Sequence, residues 1–244
     1  MTLYAIGDIH GQLDMLRAAH ARIAADRAKH DAPDAPIVHL GDLTDRGPDS
    51  RGVLDYLIAG MARGAPWIVL KGNHDRMFQG YLDDPAYHDS GLRSGLSWLD
   101  PRLGGDATLA SYGVDVDSGR DLAEIQRDAC TAVPAAHREF LAGLPLTHRT
   151  DDLFLVHAGI RPGVPLDRQV EDDLVWIRQD FLPDTRDHGP LIVHGHTAVE
   201  QPEHAGNRVD LDTGAGYGRA LTAAVFEGRS CFIVTDEGRV PLLP

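Results

Sequence analysis

The sequence is poor in cysteine and has no long apolar run. Its two cysteines, Cys130 and Cys231, are far apart and lie in mostly apolar surroundings, so we interpret them as reduced packing residues rather than a disulfide or a metal-binding pair. No segment approaches the roughly 18 uncharged apolar residues of a membrane span, and the N-terminus lacks the basic and apolar regions of a signal peptide. We therefore expect a cytoplasmic protein without a membrane partner.

Basic residues are also scarce. The 23 lysines and arginines are outnumbered by 37 acidic residues, which gives a formal net charge of −14. This balance argues against a general affinity for nucleic acid or for an anionic membrane. Part of the acidic excess is expected if carboxylates are gathered around divalent cations, because the formal count ignores the charge of a metal.

Short apolar runs alternate with helical patterns in the N-terminal part of the chain. Residues 3–6, 37–40 and 67–70 have the composition of strands, and helical periodicity separates them. Strand, helix, strand, helix, strand predicts a parallel sheet joined by crossovers, and such sheets bind ligands beyond the carboxyl ends of their strands.

The strand pattern lapses between about residues 79 and 150 and returns from residue 153 onward. Helical patterns at 121–133 and 135–144 predict a mostly helical cap in this interval. The later strands are joined by short turns that suit hairpins, so they predict a second, mixed sheet. We expect a single α/β domain over residues 1–244 with the cap inserted at about 79–150.

Five apolar runs end in side chains that can bind metal, each beside a glycine. They lie at residues 6–11, 40–47, 69–75, 156–159 and 194–196. A glycine such as Gly72 lets the backbone pass close to a ligand because it has no Cβ. Five such endings are hard to explain without one shared site.

The candidate ligands divide into two sets. Asp8 and His10 are two residues apart, so in extended backbone they project to the same side and can bind one ion. His157 and His196, with Asn73, offer neutral ligands for a second ion. Asp42 stands alone after its strand, and its carboxylate can bridge the two ions.

This mixture of nitrogen and oxygen donors indicates the metal. It suits Mn²⁺, Fe or Zn²⁺ better than Ca²⁺, and we expect two divalent ions, with Mn²⁺ as the first choice. Two ions roughly 3.5–4 Å apart would clamp a phosphate and lower the pKa of a bridging water enough to give hydroxide near neutral pH.

Three further residues near these ligands suit phosphate chemistry. Arg46 has a planar fork that matches two phosphate oxygens. His74 is adjacent to Asn73 but projects to the neighbouring side of the chain, which suits a proton donor to a leaving group. Asp45 would fix the tautomer of His74.

Together these segments resemble a known family. The motifs Gly-Asp-Ile-His-Gly, Gly-Asp-Leu-Thr-Asp-Arg-Gly, Gly-Asn-His-Asp, His-Ala-Gly and Gly-His-Thr, in this order, match the signature of the phosphoprotein phosphatases within the calcineurin-like metallophosphoesterases. The resemblance implies a four-layer α/β/β/α sandwich of two mixed β-sheets. It implies a dinuclear centre with the ligands and bridge named above, and an acid dyad formed by Asp45 and His74. It also implies a second phosphate-binding arginine, for which Arg178 is the candidate.

Two departures place the resemblance in the bacterial serine/threonine-phosphatase-like branch. Asp75 follows Asn-His where eukaryotic members usually have glutamate, and residues 212–218 differ from the Ser-Ala-Pro-Asn-Tyr loop of those members. The bacterial relatives include the symmetrical diadenosine tetraphosphatases, so the branch alone does not choose a substrate.

Three functions compete at this stage. The first is hydrolysis of phosphomonoesters, on phosphoserine, phosphothreonine or phosphotyrosine in proteins or on a small phosphate ester. The second is hydrolysis of a dinucleoside polyphosphate such as diadenosine tetraphosphate. The third is an inactive binding scaffold, which the intact ligand set argues against because a scaffold needs neither a proton donor nor a bridging carboxylate.

Residues outside the ligand set have simpler interpretations. The cap carries no proposed ligand, so we expect it to govern which substrate fits rather than the chemistry. Trp98 and Tyr112 are expected to pack within the cap. His39 lies in a strand run and is expected to be a core histidine, whereas His20 is expected to be solvated.

Overall fold

A computed structural model describes residues 1–117 and 119–244. Its helices are α1 (Leu13–Lys29), α2 (Ser50–Ala62), α3 (Asn73–Asp83), α4 (Gly105–Ser111), α5 (Leu122–Ala132), α6 (Ala135–Ala142) and α7 (Glu171–Trp176). Its strands are β1 (Thr2–Ile6), β2 (Ile37–His39), β3 (Trp67–Val69), β4 (Thr147–Arg149), β5 (Leu153–Val156), β6 (Leu191–His194), β7 (Glu203–His204), β8 (Arg208–Asp210), β9 (Ala223–Glu227), β10 (Ser230–Thr235) and β11 (Gly238–Leu242). None of the helices described is both long enough and apolar enough to cross a membrane.

The strands form two mixed sheets. The first has the order β11-β10-β9-β1-β2-β3, in which β1, β2 and β3 are parallel and the others are antiparallel. The second has the order β4-β5-β6-β8-β7, with parallel pairing of β5, β6 and β8. The predicted α/β fold with two mixed sheets is thereby confirmed.

Alternation along the strands explains the layers. In β1, Leu3 and Ala5 pack against residues of the second sheet such as Leu155. Tyr4 and Ile6 point the other way and pack against helical residues of α1 and α2. On the far side of the second sheet, β5 and β6 pack against residues in and after α7. Each sheet is therefore covered by the other sheet on one face and by helices on the opposite face.

The structure differs from the predicted elements at α3. Asn73 and His74 were expected in extended backbone at the end of a strand, but they form the first turn of a helix. The cause is Asp75, whose Oδ2 accepts a hydrogen bond from Gly72 N at 2.9 Å and so caps the helix start. The sequence signal was available, because an acidic residue at the third helical position is typical of an N-terminus.

The interval predicted as a cap contains α4, α5 and α6. Helix α3 runs into its beginning and β4, which lies at the edge of the second sheet, occupies its end. Both cysteines are free, as expected, and Cys231 is buried.

Candidate active site

The candidate metal ligands come from five distant segments and lie together beyond the strand ends. All of them are buried: Asp8, His10, Asp42, Asn73, His157 and His196. They follow β1, β2, β3, β5 and β6, each of which pairs in parallel with a neighbouring strand. Parallel strands that end at one edge thus deliver their next residues to one place.

Asp42 lies between the two predicted ligand sets. Its Oδ2 is 3.5 Å from His10 Nε2, and its Oδ1 is 3.4 Å from His157 Nε2. The ligand atoms of Asp42, His157 and His196 lie within 4.8 Å of one another, as do those of His10, Asp42 and His74. One carboxylate with an oxygen facing each side is the arrangement expected of a bridging ligand.

The hydrogen bonds of two histidines fix their tautomers. His10 Nδ1 is 2.8 Å from Thr44 O, and His157 Nδ1 is 2.9 Å from Leu40 O. A carbonyl oxygen only accepts, so each Nδ1 carries the proton and each Nε2 presents a lone pair to the site. Burial lowers the pKa of both imidazoles, although the neighbouring Asp42 carboxylate acts to raise it.

Several acceptors in the site lack donors of their own. Asp8 Oδ1 is buried and has no hydrogen-bond partner in residues 1–117 and 119–244, while its Oδ2 accepts from His196 N at 3.0 Å. Asn73 Oδ1 is 2.9 Å from the lone pair of His157 Nε2, so two acceptors face each other. Divalent cations would satisfy both arrangements, and the mixed donor set fits such ions.

The surroundings shift the pKa values of Asp8 and Asp42 in opposite directions. Burial and the neighbouring charges of Asp212 and Asp42 raise the pKa of Asp8. Burial also acts to raise the pKa of Asp42, but His157, His74 and His10 outweigh it and lower that pKa below its usual range. Asp42 is therefore held ionised, as a bridging ligand must be, and Asp8 would gain most from a cation.

Backbone strain is concentrated at this site. Among the residues that the structure describes, six non-glycine residues have φ in the left-handed region, and one of them, Asp31, lies in a distant exposed turn. The other five belong to the site: His10, Asp42, Asp45, Arg46 and His196. Such conformations cost energy and persist where the surroundings enforce them, which is typical of functional sites.

Two glycines make room for the carboxylates. A Cβ at Gly72 would lie 2.1 Å from Asp42 Oδ1, and one at Gly195 would lie 2.0 Å from Asp8 Oδ1. Any side chain at these positions would displace the acidic ligands, so these strand-end glycines are required by close packing.

His74 and the two arginines face one pocket. His74 Nδ1 lies 2.6 Å from Asp45 Oδ2. Arg46 Nη1 donates to His10 Nε2 at 2.6 Å, and Arg178 Nε donates to His196 Nε2 at 2.9 Å. Both guanidinium groups therefore border the candidate metal ligands, where they can reach a bound phosphate.

The pocket that these groups line has a volume of about 210 Å³. Its wall also includes Asp212, Thr197 and Tyr217. Tyr217 is 62% exposed and lies under the Arg46 guanidinium, whose carbon is 4.8 Å from the ring centre. A cavity of about 610 Å³ lined by Arg22 and Arg219 contains none of the candidate residues.

Asp212 and two cap residues were missed as site residues by the sequence analysis. Asp212 follows β8 and precedes Gly214, which repeats the strand-end pattern of the other ligands, so a signal was present. Trp98 and Thr108 belong to the cap yet hydrogen bond to Asp45. No local pattern in the sequence marks these two contacts.

The model of the calcineurin-like phosphoesterase family matches residues 1–220. This chain belongs to that family. A bis(5'-nucleosyl)-tetraphosphatase PrpE [asymmetrical] of Halalkalibacterium halodurans is 28% identical over 91% of this chain and 88% of its own length. The Bacillus subtilis protein of the same name is 25% identical over 91% of this chain and 89% of its own length.

The calcineurin-like phosphoesterase fold is also seen in a solved relative. The cold-active protein-tyrosine phosphatase of a Shewanella species superposes with a TM-score of 0.67 at 17% identity, covering 99% of this chain and 80% of that one. At this identity the likeness shows the fold alone. Membership of the phosphoprotein phosphatase branch stays a prediction, because the curated relatives named above are tetraphosphatases.

Proposed function

We propose that this metallophosphoesterase hydrolyses dinucleoside tetraphosphates asymmetrically, to a nucleoside monophosphate and a nucleoside triphosphate. The observation that carries the hydrolytic chemistry is Asp42, whose two oxygens face His10 and His157 from either side. The substrate class is supported by relatives named as asymmetrical tetraphosphatases over nearly their whole length.

The size of the pocket supports a substrate that enters only in part. Pockets that enclose a whole small molecule typically measure about 300–1,000 Å³, whereas this one measures about 210 Å³. Phosphoryl groups fit inside, and the nucleosides must extend over the open rim. Tyr217, exposed at that rim, offers an aromatic face to a base.

The proposed site residues have two roles, metal binding and phosphate binding. Asp8, His10 and Asp42 would hold one divalent ion, and Asp42, Asn73, His157 and His196 the other. When bound, the two ions would polarise phosphoryl oxygens and lower the pKa of a nearby water. Arg46 and Arg178 would bind phosphoryl oxygens and stabilise the charge that builds up on them in the transition state.

His74 is assigned the proton transfer. As the water oxygen bonds to phosphorus, the bond from phosphorus to the leaving oxygen breaks, and that oxygen takes a proton from His74 Nε2. His74 would enter this step as the imidazolium, with hydrogens on both nitrogens. The attacking water loses a proton to solvent and His74 regains one from solvent, so protons and charges balance over the cycle. A phosphate leaving group is a weaker base than an alkoxide, so this proton matters less for an anhydride than for an alkyl ester.

Phosphoprotein hydrolysis, the first expectation from the sequence, has less support. The similarity to the protein-tyrosine phosphatase bears on the fold only. The same site chemistry would act on either substrate, since a fold does not choose among phosphate compounds. The two substrates are therefore compared directly.

The test is product analysis with the Mn²⁺-loaded protein. Diadenosine tetraphosphate should give AMP and ATP in equal amounts, resolved by anion-exchange chromatography, with a higher kcat/KM than any member of a phosphopeptide library. ADP as the only product would show symmetrical cleavage and contradict the proposal. A higher kcat/KM on phosphopeptides would instead identify the protein as a protein phosphatase. No turnover with Mn²⁺, Fe²⁺ or Zn²⁺ would support the inactive scaffold.

A further inference from the structure

The cap contacts the backbone of the loop between β2 and α2 at two residues, Asp45 and Arg46. Arg46 N donates to Gly104 O at 3.2 Å, and Asp45 N donates to Thr108 Oγ1 at 2.8 Å. Gly104 is the residue before α4, and Thr108 is the fourth residue of this helix. The cap is therefore attached to the segment that carries Asp45 and Arg46.

Both oxygens of the Asp45 carboxylate are hydrogen bonded to the cap. Trp98 Nε1, which can only donate, lies 2.8 Å from Oδ2. The hydroxyl of Thr108 is 2.7 Å from Oδ1, and its oxygen already accepts from Asp45 N, so its hydrogen points to the carboxylate. Both oxygens therefore accept hydrogen bonds from cap residues.

The remaining contact of the carboxylate decides the tautomer of His74. Its Nδ1 is 2.6 Å from Asp45 Oδ2. Because that oxygen is an acceptor, Nδ1 carries a hydrogen, and Nε2 is the nitrogen that faces the pocket and Arg46 Nη2 at 3.0 Å. The nitrogen assigned to the leaving group is thus selected through Asp45 by cap residues.

Packing keeps these donors in place. Trp98 is 2% exposed and stacks on Phe78 with ring centres 5.4 Å apart, and it also contacts Tyr81. Both partners lie on α3, the helix whose first turn contains His74. Thr108 is fully buried and lies 3.0 Å from Ser50 Oγ at the start of α2. Trp98 and Thr108 are therefore held in place by α3, which carries His74, and by the start of α2, which follows Asp45.

We propose that Trp98 and Thr108 are positioning residues that hold Asp45 and His74 in the orientation needed for proton donation. This inference rests on the proposed function, because it takes His74 as the proton donor. It differs from the expectation that the cap affects only which substrate fits. It also corrects the interpretation of Trp98 as a packing residue alone.

A pair of substitutions separates the hydroxyl from the shape of the side chain. Thr108→Val keeps the volume but removes the donor, whereas Thr108→Ser keeps the donor. Thr131→Val is the matched control, because Thr131 lies exposed on α5 of the same cap and its hydroxyl bonds only to its own helix at Arg127 O. Trp98→Phe removes the indole N–H and retains an aromatic ring, and its Tm is compared with that of the wild type.

The kinetic measurement is kcat/KM on aryl and alkyl phosphates of graded leaving-group basicity. Thr108→Val and Trp98→Phe should lose about ten- to thirtyfold on the most basic leaving groups and less than about threefold on nitrophenyl phosphate, a fraction of the 10²–10⁴-fold that general acid catalysis supplies. Thr108→Ser and Thr131→Val should stay within about twofold throughout. Equal losses on every ester, or none, would overturn the inference.

A second measurement does not depend on turnover. In nuclear magnetic resonance spectra of protein labelled with ¹⁵N at histidine, His74 should show a hydrogen on Nδ1 that exchanges slowly with solvent. In Thr108→Val this hydrogen should exchange at least about tenfold faster, and in Thr108→Ser at the wild-type rate, since only the latter keeps the donor to Asp45. Identical exchange in all variants would overturn the inference. Failure to cleave diadenosine tetraphosphate, by contrast, would leave this resonance unchanged and would count only against the proposed function.

Discussion

Two clusters of buried histidines lie in this molecule, and their surroundings differ. The core cluster consists of His20, His39, Tyr56 and Trp67, whose rings are in mutual contact. The pocket cluster consists of the six candidate metal ligands together with His74. Both are shielded from solvent, so burial alone does not distinguish them.

Hydrogen bonding in the core cluster is complete. Ile68 O accepts from His39 Nδ1 at 3.1 Å, so His39 Nε2 is left as the acceptor for His20 Nε2 at 2.9 Å. His20 Nδ1 in turn accepts from Tyr56 Oη at 2.9 Å. Every ring nitrogen has one partner of the opposite kind, and the rings need no charge.

The pocket cluster has the opposite character. The Nε2 atoms of His10 and His157 face the two oxygens of Asp42, Asp8 Oδ1 has no hydrogen-bond partner among the described residues, and most of the backbone strain lies on the ligands themselves. The comparison teaches that lone pairs converging on a carboxylate, and not buried histidine as such, indicate a metal site. Each of the following substitutions tests one side of this contrast.

The largest effect is expected from Asp42→Asn, which removes the charge that faces both sides of the pocket cluster. We expect kcat/KM to fall by at least about 10⁴-fold, the upper end for a single proton-transfer group, because both ions would be weakened. Asp31→Asn is the matched control, since Asp31 also has a left-handed φ but lies in an exposed turn. Metal content is measured after dialysis, together with turnover. An Asp42→Asn variant that retains two ions and turns over normally would contradict the bridging role.

His74→Asn should have the next largest effect, and it should depend on the leaving group. Hydrolysis of alkyl phosphates should fall by about 10²–10⁴-fold, and that of nitrophenyl phosphate much less, because nitrophenolate leaves without a proton. His74 lies close enough to His10 and Asp42 to bind metal itself, so metal content is measured in the same samples. Loss of an ion would identify His74 as a ligand instead of the proton donor.

Arg46→Lys should have a moderate effect. Lysine keeps the charge but loses the fork that matches two phosphoryl oxygens, and a charged hydrogen bond contributes about 1.5–3 kcal/mol, so kcat/KM should fall by roughly ten- to a hundredfold. Arg51→Lys serves as the control, because Arg51 is exposed and pairs weakly with Asp55. Unchanged kinetics of the position 46 variant would mean that Arg46 does not bind the substrate.

The smallest expected effect is on the free energy of unfolding, and it comes from the core cluster. Burial and His39 lower the pKa of His20 to about 3, and burial lowers the pKa of His39 to about 4. In the unfolded chain both titrate near pH 6.5, so below that pH the unfolded state binds more protons and the free energy of unfolding falls. Between pH 7.5 and 5.5, one such histidine should cost about 1.4 kcal/mol.

His20→Gln should therefore reduce the pH dependence of the free energy of unfolding by about 1.4 kcal/mol over that interval. Urea denaturation at the two pH values measures it, and turnover at pH 7.5 should stay near wild type because the core cluster has no part in the chemistry. His88→Gln, at an exposed position, is the control. An unchanged dependence in the His20 variant would show that His20 does not titrate as described.

The sequence predicted the pocket cluster far better than the core cluster. Ligands such as Asp8 and Asn73 each stand next to a glycine at a strand end, so a local pattern marks them and the sheet topology brings them together. The expectation for His39 as a core residue agrees with its burial. That for His20 was wrong, since it is 7% exposed: it lies on α1 and contacts His39 of β2, which is distant in sequence.

The contacts between the cap and Asp45 could not be predicted either, because they also join residues that are far apart in the sequence. Trp98 and Thr108 reach Asp45 across 53 and 63 residues of sequence, and their neighbours have no pattern that names this partner. Long-range hydrogen bonds between single side chains depend on how helices dock on the sheet. Periodicity predicts the helices and their apolar faces, but not the partner of one polar atom on them.

The most direct test of the contrast between the two clusters is a crystal structure of the protein soaked in Mn²⁺, with anomalous difference density at the metal absorption edge. We predict two peaks on either side of the Asp42 carboxylate, roughly 3.5–4 Å apart, and no peak at His20 and His39. A single peak, two peaks that do not share Asp42, or density in the core cluster would contradict the account.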